Sequence, residues 1–194
     1  MADRGGELPG RHYGGEHHPL SLIDRLGERV EQGLDDQSPH WDPAFVTRLL
    51  PVLDIVLTYF DPEVHGFDRI PVDRPVLIVG NHSGGTYMPD FWAFLRAWIR
   101  ERGPAEPLYS LGFDFTFSLP VVGSMVRRMG SVPASPANAG RLLERGNSLI
   151  VYPGGDVDDY RPWTERHRVD LHGRTGFVRL ALRHQVPVVP MVKL

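Results

Sequence analysis

The feature that most constrains this chain is a regular alternation of short apolar runs with longer segments of helical spacing. Four apolar runs stand out, PVLIVG (75–80), PLYSLG (107–112), SLIVYPGG (148–155) and VPVVPMV (186–192), and amphipathic patterns lie between them. Strands that are apolar throughout are typical of parallel sheets buried on both faces, with helices as the connections. The pattern therefore predicts an α/β fold, with a largely parallel or mixed sheet flanked by helices.

The segment before the first apolar run is organised differently. Residues 1–20 are polar and rich in glycine and histidine, so we expect a disordered leader that lacks the apolar core of a signal peptide. Residues 21–65 predict an N-terminal helical region, whose first helix, SLIDRLGERVEQGL (21–34), is amphipathic. Residues 66–194 form the α/β domain, and the sequence leaves open whether this domain continues beyond Leu194.

The second helix of the N-terminal region is expected over residues 42–60, with Asp42 as N-cap and with Pro51 kinking or splitting it. Its apolar residues outnumber those needed for one core-facing stripe. It therefore either packs against the protein on several sides or lies in a membrane interface. Pro51 and Asp54 favour the first alternative, because they interrupt the apolar face.

Composition excludes several classes of protein. The 194 residues, 41% of them hydrophobic, fit one globular domain, and a net charge of -3 provides no field that would recruit nucleic acid. The absence of cysteine excludes disulfides, a thiolate zinc site and a cysteine nucleophile, and is typical of a cytosolic protein. No uninterrupted apolar run reaches the roughly 18 residues of a spanning helix, so any membrane contact of this chain is expected to be peripheral.

A group of polar residues follows the first apolar run, in the stretch VGNHSGGTYMPD (79–90). Pro89 suits the first position of a helix, which places Asp90 in the first turn, where the helix dipole favours the ionised carboxylate. The glycines of the loop allow His82 to fold back onto Asp90. The carboxylate would then hold one ring nitrogen and leave the other as a base for a hydroxyl or thiol. Taken singly, such residues are more often a turn cap and a helix cap.

Other groups near His82 can take part in this chemistry. Those that could orient the loop or stabilise an oxyanion are Asn81, Ser83, Gly84 and Gly85. A second loop, YPGG (152–155), follows the third apolar run. Because functional crevices in α/β sheets lie beyond the carboxyl ends of the strands, we expect both loops to share one crevice. Alone, the second loop is equally well explained as a strand-ending turn.

These stretches resemble the signature blocks of the phospholipid/glycerol acyltransferase family. VGNHSGG followed by TYMPD resembles its Asn-His loop leading to a catalytic aspartate, although the commonest family form has fewer than the seven intervening residues found here. The longer loop is similar to that of the diacylglycerol-acyltransferase-like branch. Three later blocks agree in order, LPVVGSMVRRMGSVPAS, LLERGNSLIVYPGG and GRTGFVRLALRHQVPVVPMV, so the resemblance covers roughly residues 66–192.

The resemblance implies a glycerolipid acyltransferase-like fold that moves a fatty acyl group from a thioester, acyl-CoA or acyl carrier protein, to a hydroxyl of a glycerolipid or lipid alcohol. His82 would be the general base and Asp90 would fix its tautomer. The candidate substrate-binding residues are Asn81, Ser83, Gly84, Gly85, Pro153, Gly154, Gly155 and Arg174. We expect no metal and no cofactor besides the thioester co-substrate.

The expected partners are the lipid acceptor, the acyl thioester and a membrane surface, with no nucleic acid; the oligomeric state is not specified by the sequence. The expected location is cytoplasmic, peripheral on the cytosolic face of a membrane, with a role in phospholipid biosynthesis. The main alternative is a non-catalytic lipid-binding or membrane-associated scaffold with the same fold. A hydrolase is a third interpretation, although no Gly-x-Ser-x-Gly elbow is present.

Two departures from the family pattern concern the acceptor. GSVPAS (130–135) lacks the arginine that glycerol-phosphate and lysophosphatidate acyltransferases carry there, and Gly154 stands in place of the acidic residue of their Pro-Glu-Gly motif. Either the acceptor is less anionic, such as a diacylglycerol or another lipid alcohol, or other arginines supply the charge. The candidates for the second alternative are Arg127, Arg128, Arg161 and Arg174.

Three further features keep two interpretations each. Arg174 either binds a donor phosphate at the start of a helix or is a solvated arginine. The aromatic residues of FWAFLRAWIR (91–100) favour a core stripe over an acyl tunnel. The leader histidines favour incidental surface residues over a metal site.

Overall fold

The structure is a computed structural model that describes residues 40–82, 85–160, 162–165 and 168–193. Five strands and seven helices alternate along these residues. The strands are β1 (Leu77–Gly80), β2 (Leu108–Gly112), β3 (Ser131–Pro133), β4 (Ser148–Val151) and β5 (Val188–Met191). The helices are α1 (Pro43–Thr58), α2 (Pro89–Arg102), α3 (Asp114–Ser118), α4 (Pro120–Arg128), α5 (Pro136–Glu144), α6 (Gly155–Asp159) and α7 (Gly176–His184). The predicted leader and the predicted helix over 21–34 lie outside the described residues.

The strands form one sheet in the order β3-β2-β4-β1-β5, and every neighbouring pair is parallel. The predicted α/β class is therefore confirmed, and within the described residues the sheet is parallel throughout rather than mixed. All five carboxyl ends lie at one edge. Since β1 and β4 are neighbours, with Val79 paired to Val151, the loops that follow these two strands meet side by side.

The core is divided by the sheet into two layers, as expected for strands that are buried on both faces. On one face Ile78 packs with Phe94 and Trp98 of α2, and Val46 of α1 joins the same cluster. On the other face, the side chains of the alternate strand residues pack against α5 and α7; this second cluster contains Leu77, Val79, Leu142, Leu149 and Ala181. Helices on both faces hold the sheet edge that carries the two loops.

The aromatic residues of α2 are mostly core residues. Phe91, Phe94 and Trp98 are buried, and the Trp98 indole donates a hydrogen bond of 3.1 Å to the Glu106 carbonyl. The core interpretation of this stripe is therefore confirmed for Phe94 and Trp98, whereas Phe91 both belongs to the core cluster and lines a cavity described below. Trp92 is half-buried and lines a cavity described below.

Helix α1 differs from its sequence prediction in two respects. The Asp42 carboxylate accepts a 2.9 Å hydrogen bond from the Phe45 amide, which confirms the N-cap. The helix is continuous through Pro51, so of the two predicted effects of this proline the split is wrong and the kink stays a prediction. An exposed proline removes one backbone hydrogen bond without displacing the buried stripe. Packing on several sides is not found among the residues that the structure describes, because Val52, Ile55 and Val56 are exposed. None of the helices within the described residues is long and apolar enough to cross a membrane.

Three short elements were not predicted from the sequence. β3 has three residues, and α3 and α6 have five residues each. Elements of this length contain too few positions to show a helical or strand periodicity, so only their tertiary contacts define them.

Candidate active site

The centre of the site is a contact between His82, in the loop after β1, and Asp90. His82 Nδ1 lies 3.0 Å from Asp90 Oδ2, and the two side chains are 5% and 2% exposed. Asp90 is in the first turn of α2, which begins at Pro89, and Met88 before it adopts a left-handed conformation with φ of 44°. The structure thus brings together the two residues predicted as a dyad. With Nδ1 directed at the carboxylate, Nε2 is the nitrogen that can act on a substrate.

The backbone around His82 is also held in place. The His82 amide donates a hydrogen bond to the Asp158 carboxylate of α6. Asn81 Oδ1 accepts a 2.8 Å hydrogen bond from the Lys193 amide, and Asn81 Nδ2 donates to the Lys193 carbonyl at 3.4 Å. Asn81 therefore ties the loop to the chain after β5, and its predicted contact with substrate stays a prediction.

The imidazole of His82 is covered by an aromatic ring. Tyr152, the residue after β4, stacks on it with a centroid distance of 4.3 Å and an interplanar angle of 21°. The Tyr152 hydroxyl and Asp90 Oδ1 are both buried without a hydrogen-bond partner among the described residues. Burial raises the pKa of the Tyr152 phenol well above its ordinary value, and the nearby Asp90 carboxylate raises it further. The phenol therefore stays protonated and uncharged beside the dyad.

His82 faces a cavity of about 570 Å³ that lies at the carboxyl edge of the sheet. His82 and Tyr152 form one part of its wall. Most of the remaining wall is apolar and comes from α2, from the α3–α4 segment, and from α5 and α7; it includes Phe91, Trp92, Phe113, Phe117, Val126, Ala139, Phe177 and Leu180. One polar feature is the Ser110 and Ser131 pair, whose Oγ atoms lie 2.7 Å apart. The cavity has the size and the composition of a site for an apolar chain.

The loop after β4 shares this cavity with His82, as predicted. Pro153, Gly155 and Arg174 all line it. Arg174 Nη1 donates hydrogen bonds to the Pro153 carbonyl at 3.1 Å and the Gly154 carbonyl at 3.0 Å, so it holds the loop in place. Gly85 has a φ of 58° and begins a 3-10 turn. Ser83 and Gly84 lie outside the described residues. Binding of substrate by any of these residues stays a prediction.

The arginines proposed as replacements for the missing family arginine have different surroundings. Arg128 donates to the Asp42 carboxylate at 2.7 Å and lies over the Phe45 ring. Arg127 lines, together with Arg141, a second cavity of about 430 Å³ that shares part of its wall with the first. Arg161 is outside the described residues.

Comparison with known proteins assigns this arrangement to a family. Residues 61–193 match the family model described as Acyltransferase, and this range contains the dyad, Tyr152 and the residues that line the cavity. This chain belongs to the acyltransferase family. The family resemblance inferred from the sequence blocks is therefore confirmed.

Several known proteins are similar in sequence to this acyltransferase chain. An uncharacterized protein of Mycobacterium tuberculosis is 35% identical over 78% of this chain and 42% of its own length. The human "DGAT1/2-independent enzyme synthesizing storage lipids" is 27% identical over 66% of this chain and 38% of its own length. Human "Diacylglycerol O-acyltransferase 2" is 33% identical over 48% of this chain and 25% of its own length. The chain thus spans about two-fifths of the length of its mycobacterial relatives.

A solved structure of an acyltransferase is also similar. The 1-acyl-sn-glycerophosphate acyltransferase from Thermotoga maritima aligns with a TM-score of 0.47 and 19% identity, covering 88% of this chain and 60% of that chain.

Two residues of the acyltransferase site were missed by sequence reasoning. Tyr152 directly follows β4, and its place beside the His82 loop could have been inferred from the parallel pairing of β1 and β4. Asp158 is 76 residues from His82 in sequence, and no local pattern indicates their contact. Within the described part of the chain, no group of three or more His, Asp or Glu residues could hold a metal ion.

Proposed function

We propose that this chain transfers a fatty acyl group from a thioester donor, acyl-CoA or acyl carrier protein, to a hydroxyl of a glycerolipid or another lipid alcohol. His82 Nε2 takes the hydroxyl proton as the acceptor oxygen attacks the thioester carbonyl carbon. The tetrahedral oxyanion collapses, the carbon–sulfur bond breaks, and the thiolate takes the proton back from the imidazolium. The products are an ester and a free thiol.

One observation carries this proposal: His82, whose imidazole is held by the buried Asp90 carboxylate, lies in the wall of a large apolar cavity. The Asp90 carboxylate holds Nδ1 and stabilises the imidazolium that forms during attack, because a charge pair interacts strongly away from water. The cavity provides a place for the acyl chain beside Nε2. No covalent acyl-enzyme is required, since a thioester is already activated towards a positioned alcohol.

A neutral acceptor such as a diacylglycerol is the form of the proposal that we favour. The segment GSVPAS carries no arginine, and the guanidinium of Arg128 is engaged by Asp42. The names of the two human relatives refer to diacylglycerol and to storage lipids, which supports the same choice. An anionic acceptor, lysophosphatidate, is included among the acceptors in the test described below.

The proposal includes a contact with the cytosolic face of a membrane, from which the lipid acceptor would reach the cavity. The exposed apolar side chains of α1, Val52, Ile55 and Val56, support such a contact, because an amphipathic helix of this kind binds a lipid interface through its apolar face.

The test is acyl transfer by the purified chain from a mixed acyl-CoA pool to diacylglycerol, lysophosphatidate and a long-chain alcohol, read by mass spectrometry. We expect ester product from wild type, and a loss of about 10²- to 10⁴-fold in kcat for His82→Ala and for Asp90→Ala. Matched controls are His65→Ala and Asp73→Ala, both at exposed positions, which should keep wild-type activity.

The outcomes separate the alternatives. Ester formation that the dyad variants retain would contradict the role of His82. Lipid binding without any ester product, from a folded protein, would favour the scaffold. Release of free fatty acid in place of ester would indicate a hydrolase.

A further inference from the structure

The carboxyl group of Asp158 occupies the space directly over Gly154. A Cβ atom placed on Gly154 would lie 2.3 Å from Asp158 Cβ, 2.7 Å from its Cγ and 2.9 Å from its Oδ2. Gly154 is not among the glycines with a left-handed φ, so its backbone conformation is open to other residues. The Asp158 side chain is therefore what excludes a side chain at position 154.

This carboxyl group reaches the backbone of the dyad. Asp158 is 1% exposed, and its Oδ2 accepts the hydrogen bond of the His82 amide. Hydrogen bonds between a backbone N–H and an ionised carboxylate are stronger than those between neutral groups, particularly where water is excluded. The contact joins the loop after β4 to the loop after β1 across two adjacent strands.

The other restraints on His82 act at different atoms. Asp90 holds Nδ1 and Tyr152 stacks on the ring, so both fix the side chain. Asn81 fixes the preceding residue through Lys193. The hydrogen bond to Asp158 acts instead on the backbone amide of His82.

We propose that Asp158 is a positioning residue that fixes the His82 backbone, and that Gly154 is required because it leaves the space in which the Asp158 carboxylate sits. The inference rests on the proposed function in one respect, the role of His82 as base. In this role Asp158 acts through the His82 backbone. Its contribution is the placement of Nε2 relative to the cavity, where small displacements reduce the rate strongly.

The first measurement does not depend on activity. In the ¹⁵N-labelled full chain, the His82 amide proton should resonate far downfield and exchange slowly with solvent, because it is buried and bound to a carboxylate. Asp158→Ala and Gly154→Ala should both remove these features, the first by deleting the acceptor and the second by displacing it. Asp73→Asn, at an exposed carboxylate, should leave the His82 amide unchanged. A His82 amide that is unaffected by both site variants would overturn the proposal.

The second measurement is the kcat of acyl transfer in the same variants. Loss of a hydrogen bond to a charged acceptor predicts a fall of about 10- to 100-fold for Asp158→Ala and Gly154→Ala. The KM for the thioester should stay within about threefold, since binding in the cavity does not use this contact. Asp158→Asn keeps an acceptor oxygen but loses the charge, so its kcat should lie between those of wild type and Asp158→Ala, and so should the chemical shift of its His82 amide. A kcat as low as that of Asp158→Ala in a variant whose His82 amide keeps its wild-type shift would contradict positioning.

A relocated carboxylate provides the strictest test. Since a Cβ on Gly154 would come so near to the Asp158 carboxyl group, the double variant Gly154→Asp/Asp158→Gly places a carboxylate in nearly the same space from the other residue. We expect it to regain at least about tenfold in kcat over Asp158→Gly, together with the downfield His82 amide. Circular dichroism and thermal melting establish that each variant is folded.

The two proposals fail in different ways. If the His82 amide responds as expected but no variant or wild type transfers acyl groups, the positioning contact stands and the proposed function fails. If acyl transfer depends on His82 but is insensitive to Asp158, Gly154 and the double variant, the function stands and the positioning role is wrong.

Discussion

At the scale of single residues, Gly80 determines how closely the aromatic ring can approach the dyad. It is the last residue of β1, and a Cβ atom there would lie 2.7 Å from Met191 Cε and 2.8 Å from Tyr152 Cε1. A methyl group at this position would press directly on the ring that stacks on His82. The absence of a side chain at Gly80 therefore allows the stacking of Tyr152.

We expect Gly80→Ala to reduce kcat by about tenfold or more, because the added methyl group displaces the Tyr152 ring from its stacked position on His82. The overpacking should also cost about 1–3 kcal/mol of unfolding free energy. Steady-state kinetics measure kcat, and denaturant unfolding measures the free energy of unfolding. The control is Ala181→Val, which overpacks the other face of the sheet and should lower stability without lowering kcat. Wild-type kcat in Gly80→Ala would show that the Tyr152 stack has no role in the reaction.

At the scale of elements, Asp42 connects α1 to α4. Its carboxylate accepts hydrogen bonds from the Phe45 amide at 2.9 Å and from Arg128 Nη2 at 2.7 Å. The hydrogen bond from Phe45, followed by that from Arg128, lowers the pKa of the Asp42 carboxyl below its ordinary value of 3.8. The ionised carboxylate thus caps one helix and holds the end of another.

This lowered pKa has a defined effect on stability. A carboxyl whose pKa is lower in the folded chain stabilises the fold fully at pH values above the unfolded pKa of 3.8, and the stabilisation is lost as pH falls through the folded pKa. We expect Asp42→Asn to melt at a lower temperature than wild type at pH 7, and the difference to shrink below pH 3.8. Thermal melts at a series of pH values measure this difference in melting temperature, and Asp114→Asn, at an exposed position, is the control. A difference that stays constant down to the lowest pH would contradict the assignment.

At the scale of the whole molecule, the parallel sheet places its functional loops and its cavity at the same edge. The carboxyl ends of β1, β2, β3 and β4 all lie there, and helices from both faces of the sheet complete the wall. Under the proposed function, a long acyl chain would lie across several strands with its thioester carbon near His82.

The chain length that this cavity accepts should respond to its wall. Val126 of α4 lines the cavity, whereas Val121 of the same helix is 81% exposed. We expect Val126→Phe to lower kcat/KM for the longest acyl thioesters by about tenfold or more relative to short ones, because it removes cavity volume that a longer chain needs. Val121→Phe makes the same change outside the cavity and should leave the chain-length profile unchanged. The measurement is competition among acyl-CoAs of different chain length, read by mass spectrometry. If Val126→Phe and Val121→Phe gave the same chain-length profile, the acyl chain would not lie in this cavity.

The fold class, the first residue of α2 and the pairing of His82 with Asp90 could be predicted from the sequence. Continuous apolar runs specify buried parallel strands, Pro89 marks the start of α2, and the loop between His82 and Asp90 is short enough for the two side chains to meet. These features are local, or they follow from a period that is visible within one segment.

The tertiary structure alone decided the strand order, the short elements α3, α6 and β3, the exposed face of α1 and the contacts of Asp158 and Tyr152 with His82. Each of these depends on which segments meet across the sheet. The hydrogen bond between Asp158 and His82 joins residues 76 positions apart, and its geometry depends on the absence of a side chain at Gly154. The order of residue types along the chain does not predict the distance between Asp158 and His82, because the packing of separate elements determines that distance.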